Sequence, residues 1–321
     1  MTTTPSSATP SSAPQLSNTM LAPSPACLYR HSVDPDAMAS VFEQLVNEVT
    51  SALSTDALAG ALDAGIDSMS AILRAIPILE GKLLERGISL IAASNPDLVV
   101  LTDNLRLPVT PAAMQLVEKN AVHLYRSLTL DADSGGRKSY TPDLLILNRP
   151  TRVAHVIDVK RSLSSYEVSR IAALKSRMLA AALVVPDLLY KEHRRLVAED
   201  VRVVIVNAES QRTDIDGGIW PLGHLDHLLE INGAGAAMTR LRELFRDKIT
   251  ANWTGARRQL HGASDLRPGG RGQGAATADE TNERASSAVL DPANDADPAK
   301  TTGHGTMPRI GFAKVPGSGL R

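Results

Sequence analysis

Apolar residues recur three and four positions apart from Asp36 to about Ser94, the spacing of a buried helix face. "DAMASVFEQLVNEVTSALSTDALAGAL" and "SMSAILRAIPILEGKLLERGISLIAAS" both show it, with Pro77 marking a kink or boundary in the second. The period then shortens. "DLVVL" (97–101) reads as a short buried strand, and "TPAAMQLVEKN" as a helix capped by Thr110 with Pro111 in its first turn. "AVHLYRSLTLDA" (121–132) alternates in part and predicts a strand, "DSGGRK" (133–138) a turn. "TPDLLILN" (141–148) and "RVAHVIDVK" (152–160) are two more strands around the turn "RPT". Strands 121–132, 141–148 and 152–160, joined by tight turns, predict an antiparallel meander. Ser164 and Glu167 fit a capping box, so a helix is expected about four residues after Lys160, with Ile171, Leu174, Met178 and Leu179 on its apolar side. "VRVVIVNA" (201–208) is a β-branched, buried strand, and "HLDHLLEI" and "AAMTRLRELFRDKITANW" read as helices. No internal repeat is evident.

The ends differ from this middle. Residues 1–30 are rich in Ser, Thr, Pro and Ala, and from 254 to 321 the chain is mainly Gly, Pro, Ala, Asp and Thr. Both compositions predict disorder, because neither can bury enough apolar surface to offset the entropy of ordering. The expected organisation is a disordered 1–30, an acidic helical extension over 36–70, one domain over 71–253 and a disordered 254–321.

Charge and cysteine content narrow the class. The formal net charge is -1, so no global field points to nucleic acid or membrane. Residues 1–70 hold one Lys or Arg against seven Asp or Glu, whereas 71–250 hold 24 against 21, a mildly basic middle that permits a nucleic-acid substrate. The lone cysteine, Cys27, allows no internal disulfide, which suits a reducing, cytoplasmic setting. No run of 18 apolar residues or secretory signal is present, so no membrane association is expected. Aromatic residues make up 3% of the chain, which argues against rows of exposed aromatics that stack on bases.

The stretch "YTPDLLILNRPTRVAHVIDVKRS" (140–162) places charge inside two apolar runs. Buried charge is costly unless paired. Asp143 opens one strand, and Asp158 and Lys160 close the next. In an antiparallel pair those ends are neighbours, and residues two apart share a face. Two carboxylates and an ammonium therefore converge at one sheet edge. Mg²⁺ prefers such carboxylates, completing its shell with water and substrate phosphate. Bound there, it polarises a phosphoryl oxygen and acidifies a water, while a lysine orients or deprotonates that water or balances developing charge.

Pro142-Asp143 and Asp158-Val159-Lys160, with fourteen residues between the aspartates, resemble the signature of the PD-(D/E)XK nuclease superfamily. The resemblance covers roughly residues 75–210. It implies an α/β, restriction-endonuclease-like core of helix, three-strand antiparallel meander, helix and strand. It further implies that Asp143 and Asp158 bind Mg²⁺ (Mn²⁺ substituting), that Lys160 is the catalytic lysine, and that the substrate is nucleic acid, DNA ahead of RNA. Many members carry a glutamate on the first core helix. Glu85 in "GKLLERGISL" is preferred here as a third metal ligand, with Glu118 as its competitor.

Less specific features accompany these. Arg161, Arg170 and Arg177 are candidates to clamp phosphates, residues 170 and 177 lying on one helical face, though a solvated face accounts for them equally. His224, Asp226 and His227 form a weak metal-ligand cluster, more simply a polar helix face. Tyr166 can reach a phosphate or fill core, and "RPGGRGQG" (267–274) is a single RGG-like segment, read as linker. The acidic N-terminal helices can pair two protomers as a homodimer. The competing readings are a catalytically inactive nucleic-acid-binding or protein-interaction module on the same fold, with Asp158 and Lys160 a plain strand-end salt bridge, and a helical scaffold working through partner contacts.

Overall fold

A computed structural model describes residues 28–102, 105–132, 138–265 and 308–316. The early part is helical: α1 (Ala39–Val49), a 3-10 turn (Ser51–Leu53), α2 (Thr55–Ala64) and the long α3 (Ile66–Ala92). Pro77 lies inside α3 without ending it. The division expected at residue 70 therefore falls within one continuous helix, and α1, α2 and α3 all pack on the later α9 (Ala234–Asp265).

Strands follow: β2 (Leu98–Leu101), β3 (Leu107–Val109), β4 (Lys138–Tyr140), β5 (Leu144–Asn148), β6 (Val153–Lys160), β7 (Asp200–Asn207) and β8 (Ile219–Pro221), β1 being the earlier pair His31–Ser32. The helices among them are α4 (Pro111–Lys119), α5 (Val122–Tyr125), α6 (Val168–Ala182), α7 (Val185–Glu192) and α8 (Leu225–Leu229). β9 (Ile231–Asn232) pairs with β1, and β10 (Arg309–Phe312) ends the described chain.

The principal sheet is mixed, in the order β10-β7-β6-β5-β2. β2, β5 and β6 are antiparallel neighbours, while β6 and β7 run parallel over eight residues, joined by the crossover through α6 and α7. Layers cover both faces, which is why β5 to β7 are near-continuous apolar runs. Leu145, Leu147, Ala154, Val156, Val203 and Ile205 face a cluster that includes residues of α4, α6 and α7. Leu144, Ile146, Ile157, Val159, Val204 and Val206 face one that includes residues of α1, α3 and α9. Thr110 caps α4 as expected, its Oγ accepting the Ala113 N–H at 3.0 Å.

Four expectations need correction. The meander exists, but its first strand is 98–101 and not 121–132, and a long insertion replaces the tight turn. The segment 121–132 is one helical turn plus coil. Its backbone pairs outside any ladder, since Arg126 O accepts the Ile310 N–H and Leu130 N–H donates to Leu183 O. Second, α6 starts at Val168, eight residues after Lys160. Ser164 Oγ pairs with Ser162 Oγ at 2.7 Å instead of capping, and the Leu163 and Tyr166 carbonyls accept the Arg212 guanidinium. Third, the tail expected to be disordered from 254 is helical to Asp265, and Arg309–Phe312 adds a parallel strand to β7 with Ile310 buried. Fourth, Leu28, Tyr29 and His31 are held by the Asn232 side chain through four hydrogen bonds. Cys27, most of the 133–138 turn, the 267–274 segment and the rest of both tails lie outside the described residues. Among those described, no helix is long and apolar enough to cross a membrane.

Candidate active site

The β5–β6 ladder sets the site. Its register pairs Leu144 with Ile157, and the next rung outward is Asp143 beside Asp158, with the Asp143 N–H donating to Ile157 O at 3.1 Å. Asp143, Leu145 and Leu147 alternate onto one face, as do Val156, Asp158 and Lys160 on β6. The two aspartates therefore meet because the short 149–152 turn fixes this register.

Hydrogen bonds hold both carboxylates. Asp143 Oδ2 accepts the Val159 N–H at 2.6 Å. Asp158, buried, accepts the Tyr140 hydroxyl on Oδ2 at 2.9 Å. Its Oδ1 faces the Lys160 ammonium in direct contact, and Lys160 Nζ lies 3.9 Å from Asp143 Oδ2. Burial works against the Lys160 charge, but contact with Asp158 outweighs it and holds the ammonium above its ordinary range. The Asp143 carboxyl is pushed up by burial and then by the neighbouring Asp158 charge. One ammonium therefore does not neutralise the pair.

Glu85 comes from the opposite layer. α3 seats tightly on α9 at Gly87, where an added Cβ would lie 2.4 Å from Leu241 and 2.8 Å from Met238. That contact and the buried Leu83, Leu84 and Ile88 turn Glu85 toward the end of β5. There Glu85, Arg86, Ser89, Thr102, Asp143 and Leu144 line a cleft of about 610 Å³. Asp158 lies behind Asp143, its side chain only 7% exposed. The Glu85 carboxyl is raised from 4.5 to about 7, by burial first and then by the Asp143 charge. Glu118 is exposed on α4 and takes no part in this cleft.

The raised Glu85 makes a pH prediction. Between 4.5 and about 7 the folded protein keeps a proton that the unfolded chain has released. Stability contributed by this group is therefore present below 4.5 and declines as pH rises through that window. The melting temperature in EDTA is expected to fall across it, and the fall should flatten in Glu85→Gln. Millimolar Mn²⁺ should offset the fall in the wild type, because a cation competes with that proton and binds the folded state. Identical melting profiles for wild type and Glu85→Gln, with and without Mn²⁺, would remove Glu85 from the site.

The other candidates separate clearly. Arg177 is exposed, and its charge acts on Tyr140, the partner of Asp158. Arg170 is exposed on the same helix, whereas Arg161 is held by Glu209 at 3.0 Å. Tyr166 packs against the core. Asp226 is a structural cap whose oxygens accept the Gly233 and Gly235 N–H groups at the start of α9. His227 shares one hydrogen bond with the Tyr29 hydroxyl at 2.6 Å and sits edge-on to His224, and its burial holds it below the ordinary range, so His227 helps seat the N-terminal segment. Tyr140 was not singled out from the sequence. Its signal is position, two residues before Pro142 on a strand set against the meander.

Among the described residues, no three His, Cys, Asp or Glu side chains converge as a ready cation cage. Asp143 and Glu85 line the cleft, and Asp158 stands behind Asp143 with its oxygens on the Tyr140 hydroxyl and the Lys160 ammonium, so it would join a cation only by releasing Lys160. This donor set fits a hard cation whose remaining ligands are water and phosphate, not a closed structural site. Known protein families, curated proteins and solved structures include none that matches this chain.

Proposed function

We propose that the protein is a Mg²⁺-dependent nuclease with a restriction-endonuclease-like core, hydrolysing phosphodiester bonds in nucleic acid, DNA ahead of RNA. The observation that carries this reading is the rung where Asp143 faces Asp158 with Lys160 between them, opposite Glu85. The order α3, β2, β5, β6, α6, β7 supports it, since it sets a helix, an antiparallel meander, a helix and a parallel strand in sequence.

Asp143 and Asp158 would hold the ion, and Glu85 would reach it directly or through water. The bound cation supplies Lewis-acid polarisation of the phosphoryl oxygen and a more acidic water. The chain does the rest. Tyr140, kept neutral by burial and by the Asp158 charge, fixes the rotation of Asp158 by donating to Oδ2. The Val159 N–H does the same for Asp143. Lys160, an ammonium, balances charge that develops on phosphate oxygens once Asp158 is otherwise engaged. Arg177 and Arg170 are placed to attract the phosphate backbone.

A test is cleavage of labelled single- and double-stranded DNA and RNA with Mg²⁺, Mn²⁺ or EDTA. Cleavage of at least one substrate, lost in EDTA, is expected. A specific observation favours one other reading: the Lys160–Asp158 contact already neutralises part of the site, as a non-cutting nucleic-acid-binding module would need. Metal-independent binding of the panel with no cleavage, and no shift in melting with Mg²⁺ or Mn²⁺, would establish that module instead.

A further inference from the structure

We infer that the first half of α3 is a self-complementary surface that pairs antiparallel with a second copy of this chain. That half has two different sides. Ile72, Ile76 and Leu79 pack against the small cluster of Leu53, Leu58 and Ala256. Ile66 and Leu73 point away, 86% and 61% exposed, with Ile78 also 61% exposed. At about 100° per residue, Ile66, Ser70, Leu73 and Pro77 fall within an arc of roughly 60°, one apolar stripe with a small residue in its middle. Large apolar side chains scattered singly need no explanation, but a stripe along one helix face does.

Charge identifies the occupant. Asp67 and Arg74 are both exposed on one flank of the stripe, and among the described residues neither forms an ion pair. Seven residues apart, they are separated by about 10 Å along the axis and cannot meet within one helix. Laid antiparallel about a two-fold axis between residues 70 and 71, Asp67 of each copy meets Arg74 of the other, so the pairing forms twice. A parallel two-fold pair would put these flanks on opposite sides of the seam and form neither ion pair. The same two-fold brings Leu73 over Ile66 and Ser70 of the second copy, with Ser70 allowing close approach at the crossing. An interface in which the same patch serves both copies is the common form of a two-fold dimer. One helix pair is small for a protein interface, so association is reversible and concentration-dependent. Each Glu85 then lies about 22 Å along α3 from the axis, giving two clefts on opposite sides. The inference does not depend on the nuclease reading.

Sedimentation equilibrium of the full chain over a wide concentration range tests it. The mass is expected to rise from 34.2 kDa toward twice that value. Leu73→Glu should remain monomeric with unchanged circular dichroism, since the side chain is exposed. Asp67→Arg should weaken dimerisation by about ten-fold or more through like-charge contact, and the double exchange Asp67→Arg with Arg74→Asp should restore it. A chain that is monomeric at every concentration, a dimer that Leu73→Glu leaves intact, or a double exchange that fails to rescue would each overturn the proposal.

Discussion

Asp158→Asn is expected to lower metal-dependent cleavage by about 10³-fold or more, and Lys160→Met by about 10²–10⁴-fold, while both proteins stay folded. Asparagine keeps the shape of Asp158 and retains an oxygen for the Tyr140 hydroxyl, so the buried bond survives. What it loses is the charge that would hold the cation. Methionine keeps the length and packing of the Lys160 stem and removes only the ammonium. If Asp143 and Asp158 act as a pair, the double variant should be little worse than either single, because groups that work as a unit are not additive. Glu85→Gln should cost less, since it stands across the cleft and does not share the Asp143–Asp158 rung. The measurement is initial cleavage rate under saturating Mn²⁺, with melting temperature as a check on the fold. Wild-type rates in Asp158→Asn would end the nuclease assignment. A loss of rate accompanied by a collapse in stability would be separated from it by Tyr140→Phe, which removes the buried hydrogen bond but no charge.

The residues of this site were legible because the signal is local. Asp143 and Asp158 lie on consecutive strands joined by a four-residue turn, and the ladder between them follows from that turn and two apolar runs. Lys160 shares a face with Asp158 by the pleat alone. Glu85 was legible as a helical acid, but its place opposite Asp143 depends on the close α3–α9 contact at Gly87, over 150 residues apart in sequence. The strand at 98–101 was read, yet its partnership with β5 was not, because β3, α4, α5 and β4 intervene and nothing in the pattern of 97–101 states its neighbour. The error at 121–132 has the same origin. Partial alternation describes a surface that could face a core, and whether a ladder forms depends on a free edge elsewhere. Here β2 holds the edge of β5, and β4 pairs with β3. The strand at 309–312 lies in a tail whose composition is dominated by Gly, Pro and Ala. Four residues of "RIGF" are too few to register against that background, although Ile310 is buried and Phe312 packs over Gly218.

Glu80→Ala is expected to destabilise the fold by about 3–5 kcal/mol, with Arg242→Ala similar. Glu80 lies five residues before Glu85 on the same helix and is followed by Lys82, so its local sequence also contains an acid-x-Lys. Its surroundings decide differently. Glu80 Oε1 accepts the Arg242 Nη2 and Nε donors at 2.7 and 3.0 Å, and Arg242 Nη1 donates to Ala208 O at 2.7 Å. The two side chains are 10% and 11% exposed, so removing either leaves a poorly hydrated charge. Replacing both, as Glu80→Leu with Arg242→Met, should recover most of the loss, because two apolar groups of similar volume leave no charge behind. Urea unfolding of the two truncations and the double replacement checks this, and single variants within about 1 kcal/mol of wild type would refute it. The comparison sharpens the reading of the neighbouring charges. At Glu80 one anion meets one cation with matched donors, so the charge is complete within the chain and serves α3–α9 packing. At Glu85, Asp143 and Asp158, three carboxylates surround the Lys160 ammonium, and Glu85 and Asp143 are each held toward protonation by burial and by a neighbouring aspartate. The first arrangement needs nothing further, while the second holds carboxylates in excess of cations, an excess that the proposed divalent cation would neutralise.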